Sequence, residues 1–92
     1  FALAELAIAP NDFFLLMDIA MANIILGHRD DARFERSSAY FERAMNMQDI
    51  DNLRHISYRG WTFLLENCPD GESWKKTRAE LHQRLDAIME VL

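Results

Sequence analysis

Apolar residues recur along this chain with the period of a helix. Two stripes carry the pattern: Phe34, Ser38, Phe41 and Met45, and then Trp74, Leu81, Leu85, Ile88 and Leu92. Steps of three, four and seven residues place side chains on one face of a helix with 3.6 residues per turn. No long window alternates strictly between apolar and polar residues, as a half-buried strand would. The pattern therefore predicts an all-α fold.

Turn and capping residues divide the chain into four main helices, after a short helical stretch, Ala2–Ala9, that Pro10 closes. We expect the main helices at Phe13–Leu26, Ala32–Met47, Asn52–Asn67 and Trp74–Val91. The candidate N-caps are, in order, Asn11 or Asp12, Asp30 or Asp31, Asp49 or Asp51, and Asp70 or Ser73. Gly27 is placed to end the first main helix in a left-handed conformation. Short loops favour antiparallel neighbours, so we expect two helical hairpins in a single domain, 1–92.

The segment 13–26, FFLLMDIAMANIIL, is apolar nearly all round, with Asp18 and Asn23 as its polar residues. One neighbouring helix cannot cover such a surface. It is therefore either a central core helix or a surface for self-association or a partner, most simply a homodimer. Asp18 and Asn23 mark the directions that we expect to stay exposed. The predicted partner-binding residues here are Phe14, Met17 and Met21.

The triplet Phe-Glu-Arg occurs twice in residues 34–43, seven residues apart. A coiled coil needs more heptads than this segment holds. The stretch SSAYFERAMNM, residues 37–47, resembles the second helix of a tetratricopeptide repeat, with Ser37, Phe41, Ala44 and Met45 at the matching positions. The resemblance implies that the small residues let the two helices of a hairpin approach, while Phe41 fills the gap to the next hairpin. The alternative is a four-helix bundle in which this is an ordinary amphipathic helix.

The same resemblance implies a role for the segment SYRGWTFLLENCPDG as the first helix of a second hairpin. Gly60 would be the point of close contact, and Trp61 or Phe63 the side chain that inserts between helices. On either interpretation Phe34 and Phe41 lie inside. The charged residues expected at the solvated edge are Glu35, Arg36, Glu42 and Arg43.

Net charge and cysteine content limit the partners and the compartment. A net charge of −5 makes nucleic acid a poor partner, because an acidic chain repels phosphates. The single Cys68 excludes an internal disulfide and fits a reducing compartment. The start FALAELAIAP lacks the basic residues of a signal peptide, and segment 13–26 is too short to span a bilayer. We expect a cytoplasmic protein without membrane contact, either a whole small domain or a piece of a longer protein.

The sequence holds no motif for catalysis. His28, His55 and His82 do not pair at the spacing of metal ligands on a helix, and Cys68 stands apart from them. A glycine-rich phosphate loop and a Cys/His nucleophile pair are also missing. We therefore expect no enzyme activity, no metal, no cofactor and no small-molecule substrate.

Lys75, Lys76 and Arg78 form a basic cluster in the first turn of the last helix, where positive charge opposes the helix dipole. The cluster is either a solvated face or a docking patch for an acidic partner. Two ion pairs at i, i+4 spacing are expected nearby, Glu72 with Lys76 and Glu80 with Arg84.

These patterns favour a non-enzymatic protein–protein interaction module, such as an adaptor, chaperone or regulatory domain. It would bind a partner helix or peptide through apolar helix faces, with charged residues at the rim. The alternative is a transcription-linked regulator, either a DNA-binding helical domain or an antagonist of one. That alternative depends on Arg54 and Arg59 together with the basic cluster.

Overall fold

The helices lie close to the predicted positions. The computed structural model describes residues 12–47 and 51–92, so that Ala2–Ala9, Asn11 and Asp49 lie outside the described residues. The helices are α1 (Phe13–Leu26), α2 (Ala32–Met45), α3 (Asp51–Glu66) and α4 (Lys75–Val91), with a 3-10 turn, Glu72–Trp74, directly before α4. The described part of the chain contains no strand. The all-α prediction is confirmed, with helix ends that differ by one or two residues.

Two helical hairpins, α1 with α2 and α3 with α4, pack together through α1, which contacts both α3 and α4. Within the first hairpin the Ser37 hydroxyl donates a hydrogen bond of 2.7 Å to the Ala20 carbonyl. Such a contact needs a small side chain, and Ser37 and Ala44 are both fully buried. Between the hairpins, Phe41 meets Trp61 edge to face, with ring centroids 5.6 Å apart. Ser37 thus lies at the close contact within the first hairpin, and Phe41 contacts the second hairpin.

Helix α1 is the central helix of the core. Its buried residues are Phe13, Leu16, Met17, Ile19, Ala20, Asn23 and Ile24. The expectation that Asn23 stays exposed is wrong: it is 8% exposed, and its amide donates to the Ile19 carbonyl one turn earlier at 2.9 Å. That bond satisfies a donor within the helix, which lowers the cost of burying an amide. The outward side of α1 carries Phe14, Asp18, Ala22 and Leu26.

Local contacts at the start and end of α1 explain its boundaries. The Asp12 carboxylate accepts a hydrogen bond of 3.0 Å from the Leu15 N–H, as the predicted N-cap should. Gly27 ends the helix, but the predicted left-handed conformation is wrong, since its φ is −58°. A Cβ at Gly27 would lie 2.5 Å from Cε1 of Phe34. Glycine is needed there for the close approach of α2.

Helix α4 begins without the predicted side-chain cap. Trp74 occupies the N-cap position, and neither Asp70 nor Ser73 does. Arg78 instead donates to the carbonyls of Pro69 and Gly71, which fixes the preceding turn from within α4.

Of the two aromatic residues predicted to insert between helices in the second hairpin, Trp61 is buried and Phe63 is exposed. Trp61 is fully buried, and the side-chain tip of Met21 lies 3.0 Å from the point that a Cβ at Gly60 would occupy. Gly60 is therefore a point of close contact between α1 and α3. Phe63 does not insert between helices, because it is 63% exposed. Leu92, predicted on the apolar stripe of the last helix, is also exposed.

Among the described residues, no helix combines the length and the apolar character that crossing a bilayer requires.

Asp18 on the outward side of α1 should make stability depend on pH. Partial burial, with the nearby charge of Asp12, raises the pKa of its carboxyl above the ordinary value. Because the pKa is higher in the folded state than in the unfolded state, the ionised carboxylate of Asp18 destabilises the protein at neutral pH. This destabilisation disappears as the pH falls and the carboxyl group becomes protonated. Asp18→Asn should therefore raise the urea midpoint at pH 7 by more than at pH 3.

The control for this comparison is Asp86→Asn, which removes the same charge from another exposed position, on α4. If both substitutions raise the midpoint equally, relief of the general negative charge explains the gain, and the local environment of Asp18 does not.

Candidate functional site

A groove lies between the facing sides of α2 and α4, with a cavity volume of about 350 Å³. Its lining residues are Ser38, Phe41, Glu42, Met45 and Asn46 from α2, and Arg84, Ala87 and Val91 from α4. We call this set the α2/α4 groove. On α4 the lining residues are three and four positions apart, and on α2 the neighbours Phe41 and Glu42 lie one turn after Ser38 and one turn before Met45 and Asn46, so each helix offers one continuous face. Four of the eight lining residues are apolar and four are polar or charged, and apolar atoms make up the larger part of the wall, as is common in recognition sites.

The groove exists because α2 and α4 belong to different hairpins. Phe41 reaches from α2 toward Trp61 and fills the space between the hairpins below the groove. On α4, Leu81 and Ile88 are fully buried, and Arg84 lies between them on the same face.

Arg84 is the charged residue at the base of the groove. It is 6% exposed, and its guanidinium lies over the Phe41 ring at 5.4 Å from the ring centroid. Its Nη1 lies 3.3 Å from the Glu80 carboxylate. The predicted Glu80–Arg84 pair is therefore confirmed, with Arg84 buried and Glu80 half-buried. Burial lowers the pKa of Arg84, while the charges of Glu80 and Glu42 oppose that shift.

The other edge of the same guanidinium has no partner. Nε and Nη2 of Arg84 are buried, and no acceptor among the described residues forms a hydrogen bond with either of them. Leaving a buried donor unpaired costs about 1–3 kcal/mol, and more on a charged group. Ser57 Oγ, Thr77 Oγ1 and the Trp61 indole N–H are also buried without a hydrogen-bond partner in the described part of the chain, but Arg84 alone of these residues is charged and lines the groove.

The predicted contact residues on α1 do not lie in this groove. Phe14 is 45% exposed on the outward side of the helix. Met17 is buried in the core, and the tip of Met21 packs toward Gly60 of α3. In this conformation Phe14 is available to a second molecule, and Met17 is not. Self-association through the outward side of α1 stays a prediction.

The basic cluster is engaged mainly with its own chain. Lys76 pairs with Asp31 at 3.4 Å, rather than with the predicted Glu72, and lies 5.1 Å from the centroid of the Phe34 ring. Arg78 contacts the turn before α4, as described above. Lys75 is exposed. These contacts connect the loop between α1 and α2 to the start of α4.

The same junction contains an aromatic pair. His28 stacks on Trp74 with ring centroids 3.8 Å apart and planes within 6°. Nδ1 of His28 lies 3.2 Å from the Ser73 carbonyl, which can only accept, so Nδ1 carries the proton of this hydrogen bond. These ring and charge contacts join the first hairpin to the start of α4 at this end of the molecule.

The hypothesis of a transcription-linked regulator also depends on Arg54 and Arg59, and both residues lie on α3. Arg54 donates to the carbonyls of Met45 and Met47 at 3.0 and 3.4 Å, where α2 ends. A cation at the end of a helix is favourable, so Arg54 stabilises α2 there. Arg59 is exposed.

A second, shallower cavity of about 320 Å³ lies along α3 alone. Its lining residues are Tyr58, Arg59, Thr62, Phe63 and Glu66. Phe63 and Ile56, both more than half exposed, lie two turns apart on this helix. Because one helix provides all the walls, this surface encloses a ligand less than the α2/α4 groove does.

Sequence reasoning missed the role of Arg84, although a signal was present. Position 84 falls three residues after Leu81 and four before Ile88, within the apolar stripe of the last helix. The i, i+4 spacing of Arg84 to Glu80 also fits a surface ion pair, which is the interpretation that the charge pattern alone favours. A cation at a core-facing position is the pattern that identifies the site.

No group of three or more His, Cys, Asp or Glu side chains in the described ranges is arranged to hold a metal ion. Comparisons of the chain with family models, curated proteins and solved structures gave no match.

Proposed function

We propose that this protein is a non-enzymatic interaction module that binds a helix or peptide of a protein partner in the α2/α4 groove. The observation that carries the proposal is the groove itself, which combines apolar walls with one buried arginine that has two unpaired N–H groups. Apolar walls supply affinity by removing water from a partner's side chain, and buried donors supply specificity.

The shape of the groove supports a helix or peptide as the ligand. Two helices form its sides, and Phe41 and Met45 from one face Ala87 and Val91 from the other. Grooves between helices commonly receive the apolar side chains of an amphipathic helix. Glu42 and Asn46 belong to the exposed surface at the groove and would help to orient the partner. An adaptor, chaperone or regulatory domain would use such a groove.

The alternative, a DNA-binding regulator, has less support. Lys76, Arg78 and Arg54 all contact acceptors of their own chain, as described above. Phosphate binding would have to compete with those contacts in an acidic chain.

The first test is selection of random displayed peptides on the folded protein, followed by affinity measurement of the enriched peptides on groove variants. Val91→Glu places a charge at a groove residue that is 51% exposed, so the fold should tolerate it. Binding should weaken at least about tenfold, because the partner's apolar side chain would then meet a charge.

The matched control is Phe63→Glu, which makes the same kind of change on the exposed face of α3. It should leave peptide affinity unchanged. If Phe63→Glu abolishes binding and Val91→Glu does not, the partner site is the α3 face. If no peptide is enriched on the wild-type protein, the proposed function is wrong.

A further inference from the structure

We infer that Arg84 recognises uncharged carbonyl oxygens of the bound segment, through the N–H groups of its Nε and Nη2. This inference rests on the proposed function and deepens it, because it names the chemical group that the α2/α4 groove selects. The matching partner is the last turn of a helix, or an extended peptide, that presents free backbone carbonyls beside one apolar side chain.

The covalent geometry of arginine defines the acceptor arrangement. The N–H groups of Nε and Nη2 lie on the same edge of the planar guanidinium and point in parallel. In Arg84 this edge is unpaired, while Nη1 on the opposite side lies 3.3 Å from Glu80. The Phe41 ring lies beneath the guanidinium, with its centroid 5.4 Å from Cζ of Arg84. Two neighbouring acceptors, or one oxygen shared by both N–H groups, would complete its hydrogen bonds.

The balance of charge favours a carbonyl over a carboxylate. Arg84 is already neutralised by Glu80, and Glu42 contributes a further negative charge at the groove. An incoming carboxylate would meet two carboxylates of the protein with one cation between them. A carbonyl satisfies the same two donors and adds no net charge, while the free carbonyls at the end of a helix carry only about half of an elementary charge.

Arginines elsewhere in this chain make the contact that we infer. Arg54 donates to the carbonyls of Met45 and Met47 at the end of α2, and Arg78 donates to those of Pro69 and Gly71. Arg84 differs because its remaining donors face no carbonyl of the described chain. Both donors are covered in this conformation, so the bound segment must displace the groove side chains that cover them, while Arg84 keeps its contacts with Glu80 and Phe41.

The experiment compares two small probes of nearly equal shape by NMR titration. N-acetyl-leucine amide carries an apolar side chain and two uncharged carbonyls, and N-acetyl-leucine replaces the amide with a carboxylate. The amide should shift the Arg84 Nε–H resonance and the backbone resonances of groove residues. N-acetyl-leucine should bind several-fold more weakly.

Two variants test the parts of the argument separately. Arg84→Met keeps the length of the side chain without donors, and Arg84→Lys keeps the charge without the parallel N–H groups. Either should weaken binding of the amide by roughly tenfold, the effect of losing two hydrogen bonds of ordinary strength. Glu80→Gln removes the neutralising charge, so it should shift the preference toward N-acetyl-leucine.

The inference is wrong if the carboxylate probe binds the wild-type protein as tightly as the amide, or if Arg84→Lys binds the amide unchanged. It is also wrong if neither probe moves the Arg84 Nε–H resonance, in which case water alone occupies the site. These results would reject the role of Arg84 but not the proposed function, provided that the selected peptides still bind Val91→Glu more weakly than they bind the wild-type protein. If the peptide selection fails but the amide still binds at Arg84, the proposed function is wrong, while the inferred carbonyl-binding site at Arg84 is retained.

Discussion

Phe41→Ala should destabilise the protein by about 3–5 kcal/mol, the usual cost of truncating a buried phenylalanine. Phe41 is 5% exposed, contacts Trp61 edge to face and lies beneath the Arg84 guanidinium. The substitution removes all three kinds of contact and leaves a cavity where the hairpins meet. Urea unfolding followed by far-ultraviolet circular dichroism measures the loss, and near-ultraviolet dichroism should report the changed surroundings of Trp61.

The matched control is Phe63→Ala, because Phe63 is 63% exposed on α3. Substitution of an exposed side chain usually changes the free energy of unfolding by less than about 0.5 kcal/mol. If Phe41→Ala leaves too little folded protein to measure, Phe41→Leu gives a smaller loss of the same origin. Equal effects of the two alanine substitutions would contradict the assignment of Phe41 to the space between the hairpins.

The helices could be predicted because their signals are local. Periodicity on α2 placed Phe34 and Phe41 inside and Glu35, Arg36, Glu42 and Arg43 outside, and all six lie where they were predicted. On α1 the pattern carries no such information, since nearly every side chain is apolar. Its rotation is set by contacts with three other helices, and this is why Asn23 was predicted exposed although it is buried.

The candidate site was harder to predict because it depends on contacts between separate hairpins. Val91 and Phe41 are far apart in sequence, and nothing local indicates that they line one groove. The basic cluster depends on the tertiary fold in the same way. Lys76 and Arg78 were read as a candidate docking patch, yet their partners, Asp31 and the turn at Pro69, come from other parts of the fold. Charge patterns on one helix do not show which charges are already paired.

Gly27→Ala should destabilise the protein by about 1–2 kcal/mol, although two effects of opposite sign contribute. Gly27 has φ −58° and ψ −21°, which alanine adopts freely, so the backbone alone would favour the substitution. The new Cβ, however, would lie 2.5–2.8 Å from three carbons of the Phe34 ring. That ring is buried and rigid, and Lys76 lies over it, so it cannot move away without disturbing the junction of the hairpins.

Gly71→Ala is the matched control and should change stability in the opposite direction. Gly71 is exposed with φ −59° and ψ 155°, and its nearest new contact would be Cδ1 of Trp74 at an ordinary 3.7 Å. Restricting the unfolded chain should then stabilise the protein by about 0.4–1 kcal/mol. Phe34→Leu, combined with Gly27→Ala, should recover part of the loss because it removes the ring atoms that clash. A stabilising Gly27→Ala, or additive effects in the double variant, would show that the two residues do not press on each other.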